Sequence, residues 1–415
     1  MSTSTVAPVG SASRPAIRLA PAIASLVLLR GAMDAAYRAP LPFLVYIAAA
    51  FGADPAQAGW LAVALSAAGL AAPIVGPLEA RLGRRMTTIA ASGAFIGVCM
   101  VMPFAPSYSA VLSLYLAVGV AKALFTPQVQ AFIGDAVPYE RRGAAIGFVE
   151  LAWALGWIVG VPVFGFLIER ATWWAPFVAF GLAGLVGLAL VLRFAIGRDV
   201  APDARATPRF DLGGARRVWK TPAAVLILAF GLLVSFSAQL ATLTYAPWLV
   251  AQFGLTPAQL GLVSIALGVA DVAAEVGVIV LVDRIGKRRS VLAAAALYAA
   301  AFILAIAFSR SLALLMAALF LVFLTFEYAL VASLAVASEA TPGARAAMGG
   351  FVVATHSSGR IGASLIALPL FGLVGLGGVM AMAAIATALA VVVFWFVRVK
   401  EGEWAGAAQA GSRRG

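Results

Sequence analysis

Long apolar runs, each closed by charged or turn residues, divide the chain into spans joined by short loops. They lie near 22–50, 58–80, 86–105, 109–135, 143–168 and 175–196, then near 221–253, 259–282, 290–309, 311–338, 346–370 and 376–398. Each matches the roughly 20 residues that an α-helix needs to cross about 30 Å of hydrocarbon. The pattern predicts an all-α, polytopic membrane protein of twelve transmembrane helices, six on each side of a polar stretch. The first and seventh runs are long enough that a bend or interfacial turn is expected in each. This gives an N-terminal tail at 1–20, a six-helix bundle at 21–196, a linker at 197–220, a second bundle at 221–398 and a C-terminal tail at 399–415. The linker mixes Pro, Gly and both signs of charge, as a solvated tether does, and its Arg216, Arg217 and Trp219 also suit anionic headgroups.

Composition narrows the class. Of 415 residues, 63% are hydrophobic and 11% charged, too little polar surface to coat a water-soluble globule, so a soluble enzyme is excluded. The net charge of +12 raises the question of nucleic acid, and the placement of the basic residues answers it. Of the 29 Lys and Arg, Arg30, Arg38, Lys122 and Arg360 fall within spans and only Arg170 and Arg310 in odd-numbered connections on one side. All others occupy the tails, the linker and loops 2–3, 4–5, 8–9 and 10–11, or, as Arg193 and Arg398, the span ends that lead into the linker and the C-terminal tail. The positive-inside rule then puts both termini in the cytoplasm, in a multi-pass protein of the inner membrane, and accounts for the charge without nucleic acid. The single cysteine, Cys99, rules out an intrachain disulfide and sits in an apolar run. The first twenty residues lack an isolated apolar segment with a cleavage site, so no cleaved signal is expected. No Gly-x-x-x-x-Gly-Lys-Ser/Thr phosphate loop and no Cys/His cluster with metal-ligand spacing occurs. Enzymatic activity, a cofactor and a bound metal are therefore not expected.

An internal repeat relates the halves. Arg81-Leu82-Gly83-Arg84-Arg85 recurs as Arg284-Ile285-Gly286-Lys287-Arg288, and the same offset superimposes Arg142-Gly143-Ala144-Ala145-Ile146-Gly147-Phe148 on Arg345-Ala346-Ala347-Met348-Gly349-Gly350-Phe351. Two matches at one shift indicate parallel repeats related by an axis along the membrane normal. Twelve spans with a Gly-Arg-Arg loop between the second and third resemble the major facilitator superfamily, over about residues 20–400. Its loop signature is matched by Gly76, Leu78, Arg81, Gly83, Arg84 and Arg85, with Ala80 at the acidic position; the second copy keeps the acid as Asp283 before Arg284, Gly286 and Lys287. The resemblance implies two pseudo-symmetric bundles that rock around a central site, and a gating loop in which an acid facing arginines locks one state. Leu116 occupies the place of an arginine found in many proton-coupled drug exporters of that family. Span five carries Gly156-x-x-x-Gly160-Val161-Pro162, similar to the antiporter motif with one extra residue before the proline. Close helix packing and a proline kink explain the same residues.

Charges inside the spans are the candidate chemistry. Each costs about 2.5–3.5 kcal/mol at mid-membrane, so a chain that keeps many must pair them or expose them to a wet cavity. Arg30, Asp34 and Arg38 are spaced to line one face of the first helix; Asp271 and Glu275 share a face of the eighth, and His356 and Arg360 a face of the eleventh. With Glu150, Lys122 and Glu327 they form the candidate set. Like charges as close as Asp271 and Glu275 do not both ionise cheaply in low dielectric, so that pair leads the candidates for protonation. Asp34, Asp271, Glu275, Glu327, His356 and Glu150 are assigned to proton coupling, and Arg30, Arg38, Lys122 and Arg360 to substrate. Tyr37, Trp157, Tyr245 and Tyr328 are candidates to line a pocket for an amphiphile, as is Trp153. Structural ion pairing is the competing reading, with Glu327 answering Arg360 or Lys122 answering Glu150. Pro40 and Pro42 end the first helix and offer a pivot.

These observations predict a monomeric secondary transporter with a small-molecule substrate, protons and the lipid bilayer as its partners. Proton-coupled export of an amphiphilic compound stands first. Import or symport of an organic anion, lipid flipping and a transport-inactive scaffold or sensor remain as alternatives.

Overall fold

A computed structural model describes residues 19–195 and 212–398; side chains at 71–82, 139–141, 143, 144, 146 and 151 lie outside the description. The chain is an all-α polytopic membrane protein. Ten stretches among the described residues have the length and hydropathy to cross a membrane. The last of them, Pro342–Trp395, is two helices meeting at Gly375, and a second segment preceding Gly83 brings the helices to twelve.

Helix α1 is Leu19–Arg38, followed by a 3-10 turn at Leu41–Phe43 and a short continuation, Leu44–Ala49. Pro40 and Pro42 remove backbone donors at that point, which is why the first run bends where expected. Helix α2 starts as Gly59–Ala67, passes through a 3-10 turn at Ala68–Ala71 and enters Ala72–Val101, which breaks at Gly83 into the end of α2 and the whole of α3. Helix α4 is Tyr108–Ala136; α5 is Tyr139–Leu155, a π-helical turn at Gly156–Gly160 and Val161–Arg170; α6 is Ala175–Phe194. A linker helix, Leu212–Lys220, precedes α7, Pro222–Phe253. No turn interrupts the seventh run: α7 is one continuous helix, with Pro247 carried inside it. Helix α8 is Pro257–Val263 continued by Ile265–Ile285, α9 is Lys287–Ala307, α10 is Leu312–Ala340, and α11 and α12 occupy 345–374 and 376–395. The expected tails and most of the linker, 1–18, 399–415 and 196–211, fall outside the described residues.

Gly83 (φ 74°) and Gly286 (φ 90°) are the motif glycines of the two repeats. Both adopt positive φ, open to glycine without a Cβ penalty, so each reverses the chain between adjacent spans within one residue. The repeated loops thus have the tight turn that their sequence requires. Arg84 then pairs with Asp135 at 2.6 Å, and Lys287 pairs with Glu339. Each repeat ties its loop to the far end of the fourth helix of its own half. The expected acid of the second loop, Asp283, is exposed and makes no salt bridge among the described residues, as does Arg284. An exposed carboxylate gains little from pairing; the anchoring acid is Glu339 instead. Gly76 and Arg81 lie among residues whose side chains are not described.

Within the first half α1 packs on α5 and α6, and α4 on the α2–α3 pair; within the second, α7 packs on the α11–α12 pair and α9 on α10. Two seams join the halves. Along one, α5 meets α8: Gly165 lies against the Pro257 carbonyl and Gly261 against Pro162, while Gly268 receives Ile158 and Trp157. Along the other, α2 meets α11 through Gly59 against the Ser364 carbonyl and Gly69 against Ser357. Lipid tails supply no hydrophobic drive between helices, so missing side chains let the backbones approach and dispersion contacts hold them. These tight contacts concentrate toward the ends remote from the basic loops. There Glu169 Oε2 also accepts a hydrogen bond from the Ala258 amide at 2.8 Å.

Candidate functional site

Four ion pairs built on three residues of one face of α1 form the centre. Arg30 is buried and donates from both terminal nitrogens to Glu150 on α5, at 2.9 and 2.5 Å, and from Nε to Asp34 at 3.3 Å. Asp34 is fully buried and accepts from Lys122 of α4 through its other oxygen. Arg38 crosses between the halves, its Nη2 2.9 Å from Asp271 Oδ2 on α8. Its Nη1 donates to the Trp153 carbonyl at 3.2 Å, and its guanidinium lies 3.9 Å from the Trp153 ring centre. The i, i+4, i+8 ladder read from the sequence is therefore real, and each rung uses a different helix. The proposed Lys122–Glu150 pairing is replaced: Lys122 takes Asp34 because Glu150 is held by the two-pronged fork of Arg30, geometry an ammonium cannot match.

The turn at Gly156–Gly160 explains the extra residue in the span-five motif. A π turn holds one residue more than an α turn, so an added residue is absorbed without shifting the flanking helix. Gly156 faces the Asp34 carbonyl and Arg38, and Gly160 faces Ala35, which sets α1 directly against this turn. Trp153 and Trp157, on either side of the turn's start, then both stand over the Arg38 guanidinium.

Aromatic side chains close the cluster on the side away from the basic loops. Trp157, Tyr245 and Phe323 are buried and in mutual ring contact at 5.5–6.4 Å, and the Tyr245 hydroxyl bonds Ser264 Oγ at 2.9 Å. Phe323 lies one turn from Glu327 on α10, and its part in this plug gave no signal in the sequence beyond its apolar character. Tyr37 and Trp153 flank the Lys122 ammonium at 5.2 and 4.7 Å. Tyr328 packs against Gly277 of α8, its hydroxyl buried without a partner.

Exposure rises toward the basic end. Asp271 is fully buried, Glu275 one turn along is half-buried, and the Glu150 side chain is 34% exposed. Glu275 and Glu327 are brought into the electrostatic reach of Asp271, Arg38 and Glu150. Neither makes a salt bridge or hydrogen bond among the described residues, and Asp271 Oδ1 is likewise buried without a partner. The competing pairing of Glu327 with Arg360 is not formed among the described residues: Arg360 lies on α11 with its Nη2 3.3 Å from Ser357 Oγ. His356, one turn before it, packs against Gly231 of α7. Three carboxylates in a shared vicinity invite a metal, yet among the described residues no three His, Cys, Asp or Glu converge closely enough to hold one.

The profile described as Major Facilitator Superfamily matches residues 26–274 and 227–414. An uncharacterized MFS-type transporter, YceJ of Bacillus subtilis, is 27% identical over 292 residues, covering 68% of this chain and 72% of its own. The niacin transporter NiaP of Acinetobacter baylyi is 28% identical over 135 residues, 32% of this chain and 30% of its own. Among solved structures, the human organic anion transporter MFSD10 (TETRAN) superimposes with a TM-score of 0.66 at 18% identity, covering 92% of this chain and all of that one. That likeness shows a common fold.

Proposed function

The chain belongs to the major facilitator superfamily, and from that premise we propose that this multi-pass transporter of a small solute exports an amphiphilic organic compound in exchange for protons. Membership makes it a transporter and not an enzyme. The reading places it in the inner membrane as a monomer, with both termini and the 197–220 linker cytoplasmic, and bundles at 21–196 and 221–398 rocking about the central cluster.

One observation carries the proposal: the Arg38–Asp271 pair joins the halves beside two carboxylates, Glu275 and Glu327, that have no cation of their own among the described residues. A proton arriving on this group alters the hold of Asp271 on Arg38, and so the energy of one arrangement of the bundles relative to the other. Aromatic closure on one side and graded exposure on the other fit the state open to the cytoplasm. Arg30, Lys122, Asp34 and Glu150, all mutually paired, act as the frame that keeps α1, α4 and α5 in register.

The test is flux of a fluorescent amphiphilic dye from proteoliposomes under an imposed proton gradient. Wild-type flux should rise with the gradient and fall to the gradient-free rate on adding a protonophore; the E275Q/E327Q double variant should ignore both. Dye movement indifferent to the gradient in the wild type rejects coupling. A second reading, uptake of an organic acid, is favoured by the similarity to a niacin transporter and by Arg360, which pairs with no carboxylate among the described residues.

A further inference from the structure

Arg360 is out of place as a structural residue. Arg30, Arg38 and Lys122 are the other cations inside the spans, and each holds a carboxylate. Among the described residues Arg360 has only the Ser357 hydroxyl, 3.3 Å away on its own helix, and its Nε is buried with no hydrogen-bond partner there. Neither Glu275 nor Glu327 forms a salt bridge with it among the described residues. A guanidinium kept at membrane depth without an anion is costly, and the cost is the larger because a buried donor is also unmet.

Helical geometry says which way it faces. Val353, Ser357 and Ser364 form the stripe of α11 that meets α2, whereas Gly359 and Gly362 meet α7. At 100° per residue Arg360 falls on the edge between these faces, beside His356, and away from the exposed Ser358 and Leu365. That edge turns to the junction of α2, α7 and α11, where the two halves meet, and not to lipid. Ser357 steadies the guanidinium by accepting from Nη2, and the other terminal nitrogen, Nη1, is neither buried nor hydrogen-bonded among the described residues, so it can donate to an oxyanion.

We propose that Arg360 is the anchor for the acidic group of the transported solute, so that the substrate is an organic acid, held by a carboxylate or a similar oxyanion. The proposal deepens the reading of a solute-carrying cavity and rests on it, but on neither proton coupling nor direction. Arg30, Arg38 and Lys122, although assigned to substrate from the sequence, have their charge satisfied already and contribute framework. An acid on α11 also leaves Glu275 and Glu327 free for protons on a different wall.

Thermal unfolding of the purified full chain in detergent tests it with matched probes: benzoate, benzenesulfonate and phenylphosphonate against neutral benzamide and cationic benzylamine. At least one acid should raise Tm by a few degrees while benzamide and benzylamine do not, since a ligand stabilises only the state that it binds. R360Q should abolish that shift, and R360K should keep a smaller one. Stabilisation by benzylamine or benzamide equal to that by the acids, an acid shift that survives in R360Q, or no shift from any acid overturns the anchor. Should R360Q fail to fold, the wild-type contrast between benzoate and its isosteric amide still decides. Proton coupling fails separately: gradient-independent flux together with an R360Q-sensitive acid shift rejects coupling and retains the anchor, and the reverse pattern rejects the anchor alone.

Discussion

At the scale of single residues, the spacing of charges revealed faces but not partners. The ladder Arg30, Asp34, Arg38 was legible because i, i+4 positions share a helix face. Its partner across the seam, Asp271, lies 233 residues from Arg38, and periodicity carries no information about contacts at that separation. The Glu339 and Asp135 anchors of the two loops were obscure for the same reason. The Arg38–Asp271 pair, with side-chain exposures of 7% and 0%, invites a double-mutant cycle. R38A should destabilise the protein by about 3–5 kcal/mol, because it strands a buried carboxylate. R38A/D271A should cost clearly less than the sum of the single changes, and chemical or thermal unfolding reads the difference. Additive losses would mean that the two charges do not depend on one another.

At the scale of elements, the span count and loop glycines could be read from hydropathy and from one repeated motif, whereas helix continuity could not. Pro40 and Pro42 end α1, but Pro247 leaves α7 whole. A proline removes one donor, and whether a helix yields to that loss is decided by what packs around it. The π turn of α5 was visible only as an awkward extra residue, and its consequence is close packing on α1. A Cβ built on Gly160 falls 2.9 Å from Ala35 Cβ, so G160V should push α5 from α1 and destabilise by about 1–3 kcal/mol. Gly147, on the same helix with nothing within 4 Å of a built Cβ, provides the control: G147V should leave Tm within about a degree of wild type, a surface change being worth about 0.5 kcal/mol or less. Equal effects of the two substitutions would show that the α1–α5 contact is not tight.

For the whole molecule, the sequence gives two related halves, and the packing adds where they touch: through glycines and Glu169 at one end, and through Arg38 and Asp271 in the middle. On the proposed reading, this arrangement is a hinge closed at one end, with the proposed protonatable groups at its fulcrum. The claim that those groups govern which end is open is tested most directly by pulsed EPR distances across the α5–α8 seam. Spin labels at Arg170→Cys and Leu262→Cys, with Cys99→Ser to remove the native thiol, report that gap. Acidification should transfer population from a short to a longer distance in the wild type, and E275Q/E327Q should hold one distribution throughout. A single distance unchanged by pH in the wild type, or an unaltered response in the double variant, would contradict the account.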